Sequence, residues 1–317
     1  MGSFRMLLQH IFLFSIYLSG CNAAFGMQDS VIANRNINRS FNLIYRQNVS
    51  PGFFGNEYGN PIKTSLYADI NPNVIVLNTS KSRFFVLFSP RVKLRLLNAR
   101  KAPVRSPSYM PGLKVYSRIN TDTARPQFLS LAYSHHSNGQ DGPTLNSAGG
   151  FNRGLGKFTT NYYTLDYTIG KKHVSLVEAR SQYASLGAEL HTGLFNRGYS
   201  TELKHTYGFV RINGSWIYDI FTGSRENDKY RTHQRINAKF TYITDNYNNY
   251  AISNFRKRLN INVQYNYQPG FADNVALAIG AGYRGQDDYN IYFEDSFSYV
   301  SVGVVYGVAF DMRKDRH

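Results

Sequence analysis

The sequence predicts an all-β protein, a transmembrane antiparallel β-barrel. Three observations lead there: strict alternation of apolar and polar side chains over strand-length windows, a surplus of aromatic residues, and too few consecutive apolar residues for a spanning helix. Among 317 residues, 25 are Tyr and 22 Phe against one Trp, while charged residues make up only 18%. Membrane barrels gather aromatic rings into girdles at both interfaces, which accounts for such a load. No stretch after Leu18 supplies the roughly 18 consecutive apolar residues that a membrane helix needs.

Residues 1–23 read as an export signal. Arg5 gives a positive start, Met6 to Leu18 form an apolar run interrupted by Gln9 and His10, and small residues follow. Leu18-Ser19-Gly20-Cys21 also fits a lipoprotein signal, with Cys21 as the lipidated residue; cleavage after Ala23 or Ala24 is the alternative. Cys21 is the single cysteine, so neither an intrachain disulfide nor a Cys-based metal site can form. Residues 24–317 contain no repeat, coiled coil or linker and read as one barrel domain. The formal charge of +16 suits an anionic membrane surface, and nucleic acid is not expected as a partner of an exported chain.

Strands are expected at 41–46, 83–94, 113–118, Gln127–Ser137, 161–169 and 174–183, with a tight connection at Gly170-Lys171-Lys172. The stretch from Gly187 to Gly223 has mixed patterning. Further on, Ile236, Ala238, Phe240 and Tyr242 alternate with Asn237, Lys239 and Thr241. Leu259, Ile261, Val263, Tyr265 and Tyr267 alternate with three asparagines and Gln264. The last strand, 300–310, sets Val300, Val302 and Val304 against Ser301 and Gly303, with Val305 a bulky exception. Period-two alternation puts these rows on opposite faces. A polar face of amides and hydroxyls suits a hydrogen-bonded lumen, and closure leaves no unpaired backbone edge in lipid.

The strand Gln127–Ser137 carries the chemistry. Its odd positions Leu129, Leu131, Tyr133, His135 and Ser137 form a lipid-facing row that ends in a histidine and a serine. At i, i+2 their Cα atoms stand ~6.5–7 Å apart, within reach of an imidazole and a hydroxyl. Serine alone is a weak nucleophile, and a neighbouring imidazole can take its proton. Polar groups on a lipid face are costly and imply function. His136 should point into the lumen as a wall residue. After Ser137 comes the turn-forming run Asn138-Gly139-Gln140-Asp141-Gly142-Pro143 and a long loop, which places the pair at the outer-leaflet end. Asn161 heads the returning strand and can orient the His135 ring, and the Gly139 N–H is the candidate oxyanion donor.

Tyr133-Ser134-His135-His136-Ser137-Asn138-Gly139 resembles the Tyr-x-His-x-Ser-Asn-Gly pattern of the outer membrane phospholipase A family, bacterial phospholipases A1. Pro103-Val104-Arg105 with Tyr109-Met110-Pro111 is similar to its Pro-Phe-Arg-x-x-x-Tyr-x-Pro segment. Gly282-Tyr283-Arg284-Gly285 with Asp288-Tyr289-Asn290 is a weaker third match. The resemblance implies a twelve-stranded barrel of the bacterial outer membrane that hydrolyses acyl esters of phospholipids, active as a homodimer with Ca²⁺. It implies Ser137 as nucleophile, His135 as base, an asparagine as third member, Gly139 as oxyanion donor and the Gln140 backbone carbonyl as a calcium ligand.

Two departures matter. Phe151-Asn152-Arg153 is locally more similar to the family's Trp-Asn-Arg, which makes Asn152 the rival of Asn161. Lys101 stands where the family has the partner's calcium-binding serine, so Asp141 or Ser147 would have to compensate. A lipid A deacylase and a non-catalytic pore or structural barrel are the competing functions.

Overall fold

In the computed structural model the sheet closes on itself: Gly52–Tyr58 pairs antiparallel with Phe297–Tyr306 over its whole length. Described are residues 52–78, 83–98, 104, 106–122, 124–175, 178–192, 199–222, 232–272, 275–306 and 309–311. The strands are β1 (Gly52–Tyr58), β2 (Thr64–Ile70), β3 (Asn73–Asn78), β4 (Phe84–Leu97), β5 (Ser108–Arg118), β6 (Gln127–Ser137) and β7 (Thr159–Val174). They continue with β8 (Glu178–His191), β9 (Val210–Thr222), β10 (Thr232–Ile243), β11 (Leu259–Gln268), β12 (Val275–Arg284), β13 (Phe297–Tyr306) and β14 (Ala309–Asp311). The ring is an antiparallel barrel of 12 strands, β1-β2-β4 and then β5 through β13 in order. β3 continues the register of β2 along β4, Ile70 opposite Val92 and Val74 opposite Phe88, so the two are one strand interrupted at Asn71-Pro72. Proline has no N–H to give the ladder there. β14 adds a short parallel pairing to β3.

Connections at one end are long, as at 138–158 and 244–258, and at the other short, as between Val174 and Glu178, which orients the barrel in the membrane. The outward rows are apolar and exposed: Leu277 is 62% accessible, Leu186 60% and Val302 49%. A closed ring that exposes so much aliphatic surface has lipid around it.

Expected strands recur as β4 to β8, β10, β11 and β13, several of them longer than expected; the last expected strand, 300–310, ends at Tyr306, and Phe310 falls in β14. The signal segment with Cys21, the strand at 41–46 and Lys101 lie outside the described residues. The tight connection at Gly170-Lys171-Lys172 is overturned. β7 runs on to Val174, and the reversal is closed by Ser175 N–H donating to the Glu178 carbonyl at 2.8 Å. Gly170 is a strand glycine beneath the Tyr183 ring, where an added Cβ would sit 2.3 Å from a ring carbon. The strand expected at 174–183 therefore begins at Glu178 and extends to His191.

Inside, Ile75, Phe85, Leu87, Phe128 and Tyr183 fill one side of the short-loop end, and Phe53, Tyr67 and Val305 pack on another. The outer mouth is capped by aromatic residues from three loops, including Phe151, Phe158, Tyr207, Tyr289 and Phe293. Beneath the cap, Arg95 pairs with Glu57 (3.2 Å) and Asp287, Arg284 with Glu57 (2.5 Å), and Lys93 with Asp288. A cavity of about 310 Å³ lies within the lumen, its walls including His136, Glu189, Arg211 and Ser301.

Candidate active site

β6 is held by a neighbour on each side. Ser137 lies opposite Tyr109 of β5 and Thr159 of β7, and His135 lies opposite Asn161. Ser130, Ala132 and His136 are buried in the wall's inner face, whereas Leu131 is exposed and His135 and Ser137 are partly so. The β5 ladder is paired at Tyr109–Ser137 and at Gly112–Ser134 but not between them, where Pro111 has no N–H to give.

His135 Nδ1 and Asn161 Oδ1 are 2.7 Å apart. An amide oxygen only accepts, so this bond needs the proton on Nδ1 and leaves the Nε2 lone pair free. Asn161 is buried, which keeps water from competing for its amide. No hydrogen bond joins Ser137 to His135 among the described residues; at i, i+2 the two share one face of β6.

The turn after Ser137 is fixed by Asn138. Its Oδ1 accepts from the backbone N–H of Phe158 (3.0 Å) and of Gln140 (3.2 Å), and its Nδ2 donates to the Gly156 carbonyl (2.7 Å). Gly139 takes φ +68°, a left-handed conformation that favours glycine, and its N–H has no partner among the described residues. The structure thus brings His135, Ser137, Asn161 and Gly139 together at the outer end of one wall.

Asn152 is elsewhere. Its Oδ1 accepts from the N–H groups of Gly154 (3.2 Å) and Leu155 (3.3 Å), and its Nδ2 donates to the Pro143 carbonyl (3.2 Å), so it shapes the loop. The signal that separated the two was periodicity: Asn161 shares the row of Tyr163, Leu165 and Tyr167.

Of the calcium oxygens that the resemblance implies, one chain places the Gln140 carbonyl at this site. The Gln140 carbonyl has no hydrogen-bond partner among the described residues, but the Gln140 side chain donates to Ser106 Oγ (2.9 Å), and Asp141 and Ser147 are exposed. No three His, Cys, Asp or Glu residues cluster for a metal among the described residues, and calcium takes six to eight oxygens.

Behind the site, unexpected from the sequence, Thr160 Oγ1 donates to His191 Nδ1 (2.9 Å) and His191 Nε2 donates to Glu189 (2.7 Å). Thr160 is the neighbour of Asn161 and faces inward opposite His136. Nothing in local sequence ties residue 160 to residue 191.

The closed ring and its apolar outer belt define a bacterial outer-membrane β-barrel, and the chain is placed in that membrane. Among solved structures it is similar to outer membrane phospholipase A from Escherichia coli, at 11% identity and a TM-score of 0.53, covering 82% of this chain and 90% of that one. It also aligns with the NanC porin at 8% identity and a TM-score of 0.40, covering 81% and 98%. At these identities the likeness is one of fold. No protein-family model matches the chain, and no curated protein matches it in sequence.

Proposed function

We propose that this barrel is a phospholipase that hydrolyses acyl esters of phospholipids at the outer leaflet. The observation that carries the reading is the 2.7 Å bond between His135 and Asn161 on the lipid-facing row that ends in Ser137. A serine, a histidine and an asparagine on such a row are costly unless they act.

An ester carbonyl lying against the wall meets Ser137 Oγ. His135 Nε2 takes the hydroxyl proton as the O–C bond forms, and Asn161 holds the ring in the tautomer that allows it. The Gly139 N–H donates to the oxyanion, a contribution of about 3–4 kcal/mol for a well-placed donor. The proton passes from His135 to the departing lysophospholipid oxygen. Water, deprotonated by the same nitrogen, then frees the fatty acid from Ser137.

Homodimerisation and calcium accompany this reading through the family resemblance. A second copy would have to bring oxygens that one chain lacks, and no step above passes through the ion. The polar-lined lumen speaks for a pore; the aromatic cap over its mouth speaks against one.

Release of fatty acid from phospholipid by the refolded barrel, with calcium or chelator, is compared with Ser137→Ala. The expected loss in the variant is at least about 10³-fold with folding intact. Equal release in both proteins sinks Ser137 as nucleophile. An altered lipid A acyl pattern with intact phospholipid would turn the reading to a deacylase. Conductance without fluorophosphonate labelling would turn it to a pore.

A further inference from the structure

Just ahead of β7, at the outer end of the wall that carries Asn161, the chain presents one exposed lysine. There Gly156 and Phe158 are buried while Lys157 between them is exposed. The backbone there is fixed: Lys157 N–H donates to the Gly142 carbonyl (3.1 Å), Ser200 Oγ donates to the Lys157 carbonyl (3.4 Å), and Phe158 is clamped by Asn138. The Lys157 ammonium has no hydrogen-bond or ion-pair partner among the described residues. Thr159 is the register partner of Ser137, and Lys157 lies two residues before Thr159, on the loop side of the start of β7.

We propose that Lys157 is a specificity-determining residue that holds the phosphate of a glycerophospholipid while its ester lies at Ser137. The proposal rests on the hydrolytic reading of this site and adds which end of the lipid is recognised. A glycerophospholipid carries its phosphate only a few bonds from its ester oxygens, on their water side, the direction in which Lys157 lies from Ser137. A lysine meets a phosphate as a compact point charge and tolerates variation beyond it.

The test compares phosphatidylglycerol with an uncharged acyl ester in the same micelles, using the full barrel and its Lys157→Ala, Lys157→Arg and Lys157→Glu variants. The ratio of kcat/KM on phospholipid to that on the neutral ester should fall about 3- to 10-fold in Lys157→Ala, further in Lys157→Glu, and survive in Lys157→Arg. An unchanged ratio in Lys157→Ala and Lys157→Glu overturns the proposal. Retention of a dialkyl ether phosphatidylglycerol by the Ser137→Ala barrel, followed by native mass spectrometry, gives a readout without turnover. Weaker retention on adding Lys157→Ala supports the phosphate site, even where no ester is cleaved and the hydrolytic reading alone fails. Equal retention overturns the site whatever the hydrolysis.

Discussion

His135 and His136 are adjacent in sequence and live in different solvents. His135 looks out of the wall, spends one nitrogen on Asn161 and keeps the other open. His136 looks in, is 4% exposed, packs against the tilted Phe158 ring with centroids 4.7 Å apart, and leaves Nε2 without a partner among the described residues. The same division runs through the wall. Its outer row is apolar until it reaches the candidate site, while its inner row joins the charges and aromatics that fill the lumen. In a barrel wall, parity decides whether a polar side chain serves chemistry or structure.

The largest expected effect lies on the inner side. Arg95→Ala strips two carboxylates, Glu57 and Asp287, of a buried partner and should cost about 3–5 kcal/mol in urea unfolding from lipid vesicles. Barrel that still folds should keep its hydrolytic rate per labelled serine; a rate that collapses with stability intact would break the division. Next comes the outer row. Asn161→Ala should lower kcat about 10²-fold through loss of the tautomer, with little change in stability. Asn152→Ala should stay within about twofold; the reverse ranking would move the orienter into the loop. The smallest effect belongs to His136→Phe, which keeps the ring contact with Phe158 and removes an unpaired nitrogen. Unfolding free energy should shift by less than about 1 kcal/mol, and turnover should not change.

Parity was also what made the molecule legible. The rows of β6, β11 and β13 could be read outright, and with them the common face of His135, Ser137 and Asn161. β12 escaped because both of its faces are apolar by type: Val275, Leu277 and Ile279 outside, Ala276, Ala278 and Gly280 inside, differing in size alone. Gly170 misled because a glycine beneath a tyrosine ring and a glycine in a turn look alike in one dimension. The luminal ion pairs were out of reach, since Lys93 and Asp288 lie 195 residues apart and nothing local links them.

The ring's closing joint carries a consequence for how the protein is made. β1 meets β2 over three residue pairs, Phe53–Asp69 to Gly55–Tyr67, and its other neighbour β13 arrives from the far end of the described chain. Joining those ends is the step with the largest loop-closure entropy, whereas β5, β6 and β7 are consecutive hairpins. The wall that bears Ser137 is therefore assembled from early, local contacts, and the seam that shuts last is the seven-pair ladder between β1 and β13.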